Sequence, residues 1–220
     1  MPTAPLPALS LLETRVLGVL VEKQHTVPDS YPLTLNALVS GCNQKSSRHP
    51  VIEASEAEAQ AALDHLKSLS LVVESSGGRV MRYAHNAGRV LALPGPSVAL
   101  LATLMLRGPQ TAGELRINSE RLHAFTDISA VEAFLEELAT RPAGALVAEL
   151  PRLAGTRETR WAHLLSGAPA EPAAAEAAAA PAQAASLGEI AALKANVDRL
   201  EAEVADLRET LARVVRELGL

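Results

Sequence analysis

Arg82-Tyr83-Ala84-His85 returns almost unchanged as Arg160-Trp161-Ala162-His163, an offset of 163 − 85 = 78 positions. Aromatic residues make up 2% of the chain, yet one of its two tyrosines and its only tryptophan occupy the same place in the two copies. An internal duplication accounts for this better than chance. Upstream of each copy lies an apolar run ending in a turn, preceded by a segment with leucines three apart: Leu63 and Leu66 in the first, Leu135 and Leu138 in the second. That spacing puts both leucines of a pair on one helix face. Each copy reads as three helices followed by a hairpin.

This order, hairpin last, predicts a winged helix-turn-helix, in which a three-helix bundle leans on a small sheet. The expected fold class is mainly α with small β-hairpins. Tandem winged helix-turn-helix domains fall at residues 8–88 and 97–167, followed by an Ala/Pro-rich linker at 168–185 and a C-terminal coiled-coil helix at 186–220. A chain of 220 residues with 48% hydrophobic content is long enough for two such cores. The net charge of −5 is not that of a strongly basic nucleic-acid binder. Residues 1–167 carry 15 Lys+Arg against 16 Asp+Glu, and 168–220 carry 5 against 9, so the excess acid sits in the tail. A single cysteine, Cys42, excludes an internal disulfide and a cysteine-rich zinc module and suits a cytoplasmic location. The first residues have no basic run, and Pro94, Gly95 and Pro96 interrupt the apolar segment 90–106, so neither a signal peptide nor a membrane span is expected.

Helix starts are marked by capping boxes, in which a hydroxyl and a carboxylate three residues on satisfy each other's backbone donors. Ser10/Glu13 opens a helix to about residue 23, and Ser55/Glu58 opens one to about residue 70, with Ala59, Ala62, Leu63 and Leu66 inward. Thr111/Glu114 and Ser129/Glu132 open the second and third helices of the second unit, where Val131, Phe134, Leu135 and Leu138 form the inward stripe. Residues 33–41 predict a short helix, and 98–107 a helix ended by Gly108-Pro109. Strands are expected at 71–73 and 80–83 around Gly77-Gly78, and at 145–150 and 158–163.

The segment 168–185 is almost entirely Ala, Pro and Glu, which cannot bury a core. After a further box at Ser186/Glu189 a heptad series follows, with Ile190, Val197, Val204, Leu211 and Leu218 at a and Leu193, Leu200, Leu207 and Val214 at d. β-Branched residues at a with leucine at d predict a parallel homodimer, and Glu203 at g can reach Arg208 at e of the partner helix. The alternative is one amphipathic helix folded back on its own body.

With these residues laid out, the sequence resembles the YceH-like family of bacterial proteins. The resemblance is carried by residues 32–38 (PLTLNAL), 42–48 (CNQKSSR), Arg79-Val80 with Tyr83 and His85, residues 106–111 (LRGPQT) and 113–116 (GELR). It covers about residues 9–167. It implies a tandem winged-helix fold and brings no established activity, so no catalytic or ligand residue is carried over.

The residues themselves point away from an enzyme. The histidines, Cys42 and the acids show no metal-ligand spacing, and no cofactor or glycine-rich phosphate loop is evident. Cys42 and His49, seven apart across a loop, give only a weak nucleophile-base suggestion. Duplex DNA is the first partner expected, with backbone phosphates met by Lys45, Arg48, Arg79, Arg82, Arg116, Arg121, Arg152, Arg157 and Arg160. Against it stand the acids around the third helices: Glu53, Glu56 and Glu58 in one unit, Asp127, Glu132, Glu136 and Glu137 in the other. The alternative is an adaptor that binds another protein, similar in architecture to ScpB, an analogy of fold alone.

Overall fold

The computed structural model describes residues 6–76, 80–152 and 158–167. These residues are mainly helical, with two small antiparallel sheets. The first half holds α1 (Leu11–Thr26), a 3-10 turn (Pro28–Ser30), α2 (Leu35–Cys42), α3 (Glu56–Ser68), β1 (Val72–Ser75) and β2 (Arg82–His85). A short helix α4 (Ala87–Val90) leads into α5 (Gly95–Arg107), α6 (Ala112–Asn118), α7 (Ile128–Ala139), β3 (Val147–Leu150) and β4 (Arg160–His163).

Local chemistry starts the helices. Ser10 Oγ accepts from the Glu13 N–H, and the Glu13 carboxylate accepts from the Ser10 N–H at 2.6 Å. The reciprocal boxes at Ser55/Glu58 and Thr111/Glu114 also form. The box expected at Ser129/Glu132 does not. The extended residue before α7 is Asp127, whose carboxylate accepts from the Ala130 N–H at 2.8 Å, so the helix starts two residues early and Ser129 lies within it. An ionised acceptor at a helix N-terminus also meets the favourable end of the dipole. Likewise α5 begins at Gly95, not Val98, with Pro96 inside its first turn. Proline is tolerated there because that N–H has no helical partner to lose.

The two halves repeat one wiring. Val72, Val73 and Glu74 pair with His85, Ala84 and Tyr83; Val147, Ala148 and Glu149 pair with His163, Ala162 and Trp161. Tyr83 exchanges both backbone hydrogen bonds with Leu33, and Trp161 does the same with Gln110. A third, one-residue strand before the second helix therefore flanks each hairpin. The third helices align through their caps, Ser55 and Asp127, at an offset of 127 − 55 = 72. At that offset the buried Ala59, Leu63 and Leu66 fall on the buried Val131, Leu135 and Leu138.

The halves do not keep separate cores. Thr14 to Val21 of α1 are all buried, as are Ser97 to Leu106 of α5, because the two helices pack on each other as well as on their own bundles. One apolar cluster runs from Val16, Leu17 and Leu20 through Leu101, Leu104 and Met105. The α1 sequence shows one broad apolar face; its neighbours bury the remainder. Gly18 marks the closest approach, since a Cβ there would lie 3.0 Å from the Leu106 side chain.

Gly41, at the end of α2, has less room still: a Cβ would meet Val19 Cγ1 at 2.6 Å. Gly41→Ala is expected to cost about 1–3 kcal/mol by overpacking. Adding Val19→Ala should recover part of that loss, measured as the urea midpoint of unfolding; a double variant no more stable than Gly41→Ala would contradict the contact.

Candidate functional site

The loop from Cys42 to Pro50 brings two arginines inward. Arg48 forms a two-pronged bond to Glu22 of α1, Nη2 to Oε2 at 2.6 Å and Nη1 to Oε1 at 3.1 Å, and its Nε donates to the Gly41 carbonyl. Arg15, fully buried, donates to the carbonyls of Cys42 at 3.3 Å and Pro50 at 2.7 Å. Two cations thus sit on the last carbonyls of α2, the negative end of its dipole. Ser47 adopts a left-handed φ of 59° just before Arg48, and its Oγ accepts from Arg107 of α5 at 2.8 Å. The His49 N–H donates to the Leu106 carbonyl, and His49 Cδ2 lies 3.1 Å from where a Cβ on Gly108 would stand; that glycine also has φ 76°. The loop therefore clamps the first half to the end of α5.

This corrects the expectation for Arg48. Its guanidinium is engaged by Glu22 and by the Gly41 and Ser47 carbonyls, and its side chain is buried, so it is not presented to a phosphate on the surface. Lys45 is exposed in the same loop, and Arg116, Arg121 and Arg152 are exposed in the second half. Arg82 is exposed too, but its Nη1 donates to the carbonyls of Ser30 and Pro32. Arg160 is half-buried on β4. Arg79, Arg157 and the tail residues Ile190, Leu193, Val197, Leu200, Val204, Leu207, Leu211, Val214 and Leu218 lie outside the described residues.

The outer faces of the third helices are acidic. In α3 they carry Glu56, Glu58 and Asp64, while Lys67 is engaged by Asp64 and Glu74 and His65 by Glu13. In α7 they carry Glu132, Glu136 and Glu137, with no Lys, Arg or His anywhere in the helix. Between α7 and the β3–β4 hairpin lies a cleft of about 410 Å³, bordered by Glu132, Glu136, Glu149, Arg152 and Glu158 around Ile128 and Trp161. Trp161 and these acids are each legible in the sequence. Their convergence is not, and overlaying the two copies residue by residue is the signal that would have exposed it.

Burial pushes the Cys42 thiol up to about 12, so it stays protonated, while His49 is exposed. Among the described residues no group of three or more His, Cys, Asp or Glu side chains is placed to hold a metal ion. None of the described helices is long and apolar enough to cross a membrane. His85 and His163, at equivalent positions, are both pushed down to about 4, chiefly by burial, and each has a buried Nδ1 without a partner. His85 Nε2 meets Gln24 Oε1 at 2.5 Å.

Residues 9–156 match the model of a family described as "Protein of unknown function, DUF480". A UPF0502 protein of Dechloromonas aromatica is 61% identical over 211 residues, covering 96% of this chain and 98% of the relative. One from Methylibium petroleiphilum is 60% identical over 217 residues (99% and 93%), and one from Leptothrix cholodnii 55% identical over 214 residues (96% of each).

Two outcomes follow from the geometry. Removing one partner of the buried pair, as in Arg48→Ala, is expected to cost up to about 3–5 kcal/mol, because Glu22 is left largely buried with only the Lys23 ammonium, at 3.2 Å, to offset it. The double change Arg48→Met with Glu22→Leu should be less damaging than Arg48→Ala, as read from chemical denaturation; equal or greater loss would contradict a paired role. The second outcome concerns pH. A folded histidine near 4 against about 6.5 unfolded means that the unfolded chain binds more protons between those values, so stability is full above about 6.5 and falls towards 4. Each histidine removes at most about 1.4 kcal/mol per pH unit in that window. Thermal unfolding between pH 7 and 4.5 should show the decline, and His85→Gln with His163→Gln should flatten it.

Proposed function

Since the chain belongs to the DUF480 family, whose description assigns no function, its role has to be argued from its surfaces, and we propose that it is a non-enzymatic protein-interaction module built from two winged helix-turn-helix domains. The three helices, the one-residue strand at Leu33 or Gln110 and the hairpin of each half support the winged-helix reading. The observation that carries the functional reading is the charge of the third helices. In DNA-binding relatives of this architecture that helix enters the major groove between two rows of phosphates. Here α7 presents Glu132, Glu136 and Glu137 and no base, and the one lysine of α3 is held by Asp64 and Glu74. Carboxylates in that position repel the backbone that a DNA reader has to neutralise. The inward turn of Arg48 subtracts a further cation from the surface.

DNA contact through the loops is the competing reading, favoured by the exposure of Lys45, Arg116 and Arg121. The heptad spacing of residues 186–220 supports a homodimer, in which two copies engaging one partner would gain effective concentration.

The two readings separate in one pair of measurements on the full chain. In fluorescence anisotropy with a labelled duplex at about 50 mM salt, the interaction reading expects no saturable binding. If binding appears and Lys45→Ala, Arg116→Ala and Arg121→Ala together reduce the slope of log affinity on log salt by about 2.7, three contacts at about 0.9 each, the DNA reading replaces it. A photo-crosslinking residue at Ala133, exposed on α7, is expected to trap protein in cells. Adducts to DNA, or none, would overturn the interaction reading.

A further inference from the structure

The duplication supplies an internal control for the cleft beside α7. In the first half the protein's own polar groups bridge the corresponding helix and hairpin. Tyr83 is 4% exposed and its hydroxyl donates to Gln60 Oε1 at 3.2 Å, while Lys67 bridges from α3 to Glu74 on the hairpin at 2.5 Å. At the offset of 72 set by the caps, Gln60 corresponds to Glu132, Asp64 to Glu136, Lys67 to Ala139 and Glu56 to Ile128; by the sheet register Tyr83 corresponds to Trp161 and Glu74 to Glu149. The hairpin glutamate is kept, but each side chain that closes on it or on the aromatic ring has changed. The lysine that neutralised the hairpin carboxylate is an alanine, and the amide that took the tyrosine hydroxyl is a second carboxylate. The larger aromatic ring stands in an open cleft of about 410 Å³. Ile128, 46% exposed, closes one end beside Gly113.

Resting on the interaction-module reading, we propose that this cleft is the docking site for a basic segment of a partner protein, which lays an arginine or lysine side chain against Trp161 between the carboxylates of Glu132, Glu136 and Glu149. The chemistry selects that occupant. An indole face attracts a cation through its quadrupole, the more so when both are partly desolvated. Guanidinium binds carboxylates in a two-pronged geometry. The cleft volume is within the range of small-ligand sites, roughly 300–1,000 Å³. Arg152 also borders the cleft, but the carboxylates of Glu132, Glu136, Glu149 and Glu158 outnumber it and disfavour a phosphate backbone. Glu149 also accepts a hydrogen bond from Thr159 Oγ1, which orients its carboxylate on the hairpin side. In effect the incoming cation takes the place that Lys67 fills in the first half.

Trp161 is the only tryptophan in the chain, so its emission reports on this cleft alone. The full chain is titrated with an acetylated nonapeptide of alternating arginine and leucine and, separately, with its glutamate-leucine counterpart. The basic peptide is expected to change Trp161 emission saturably, and the acidic one to leave it unchanged. Glu132→Lys with Glu136→Lys, both exposed on α7, should weaken binding at least about tenfold. Glu132→Gln, which restores the first-half residue, should weaken it less. Glu56→Lys with Asp64→Lys, the same charge change on the first half, is the control for unspecific attraction and should cost under about threefold. No emission change up to about 1 mM peptide, or equal losses in the two double variants, would overturn the proposal. A silent Trp161 together with protein adducts at Ala133 would overturn the cleft alone and leave the interaction reading standing; a silent Trp161 with DNA adducts would end both.

Discussion

The ion pair between Arg48 and Glu22 is the constraint on which the rest of the first half hangs. Burial pushes the Glu22 carboxyl up, but the guanidinium beside it outweighs that and holds it below the usual carboxylate range. A second buried cation, Arg15, lies close by, and burial followed by repulsion from Arg48 lowers its pKa. Two arginines against one carboxylate would be untenable in an apolar core. The carbonyls of Gly41, Cys42 and Pro50 make it tenable by accepting from both guanidinium groups. Those carbonyls are available only because α2 ends there and the chain turns at Ser47, so helix end, loop and ion pair stand or fall together.

The same loop reaches the second half. Ser47 is bonded by Arg107, and the His49 N–H by the Leu106 carbonyl, so the charged cluster joins the α1–α5 packing instead of sitting apart from it. A duplicated chain often keeps two cores side by side; here the first helix of each copy is the other's partner. This explains why both helices are buried around much of their circumference and why a glycine stands where α1 meets Leu106. Orientation of the two third helices follows from that shared core, since α3 packs on α1 and α7 on α5.

Equivalent backbones have taken on different surfaces. The hairpin registers, the one-residue bridges and even the buried histidines repeat. The side chains between third helix and hairpin do not: one copy closes with a tyrosine-glutamine bond and a lysine-glutamate pair, the other leaves a tryptophan among carboxylates. Backbone pairing is indifferent to which side chain stands above it, so the outward face is free to diverge while the sheet persists.

How much of this was legible in the sequence follows from the range of each interaction. Capping boxes join residues three apart, and the buried stripes of α3 and α7 repeat at three and four, so those helices could be read locally. The repeated RYAH and RWAH tetrapeptides place Tyr83 and Trp161 at the matching strand positions they occupy in the two hairpins. Local reading erred where two local signals competed, as when Asp127 out-capped Ser129 and Pro96 joined a helix it seemed to exclude. What the sequence by itself determined is thus the order of the main helices and hairpins, the duplication and the acidity of the third helices, but not the 3-10 turn or α4. Only the tertiary structure decided that Arg48 turns inward, that α1 and α5 share one core, and that Trp161 and Glu132 border one cleft. Glu22 lies 26 residues from Arg48 and Glu132 lies 29 from Trp161, and no periodic pattern carries information across such separations until packing brings the groups together.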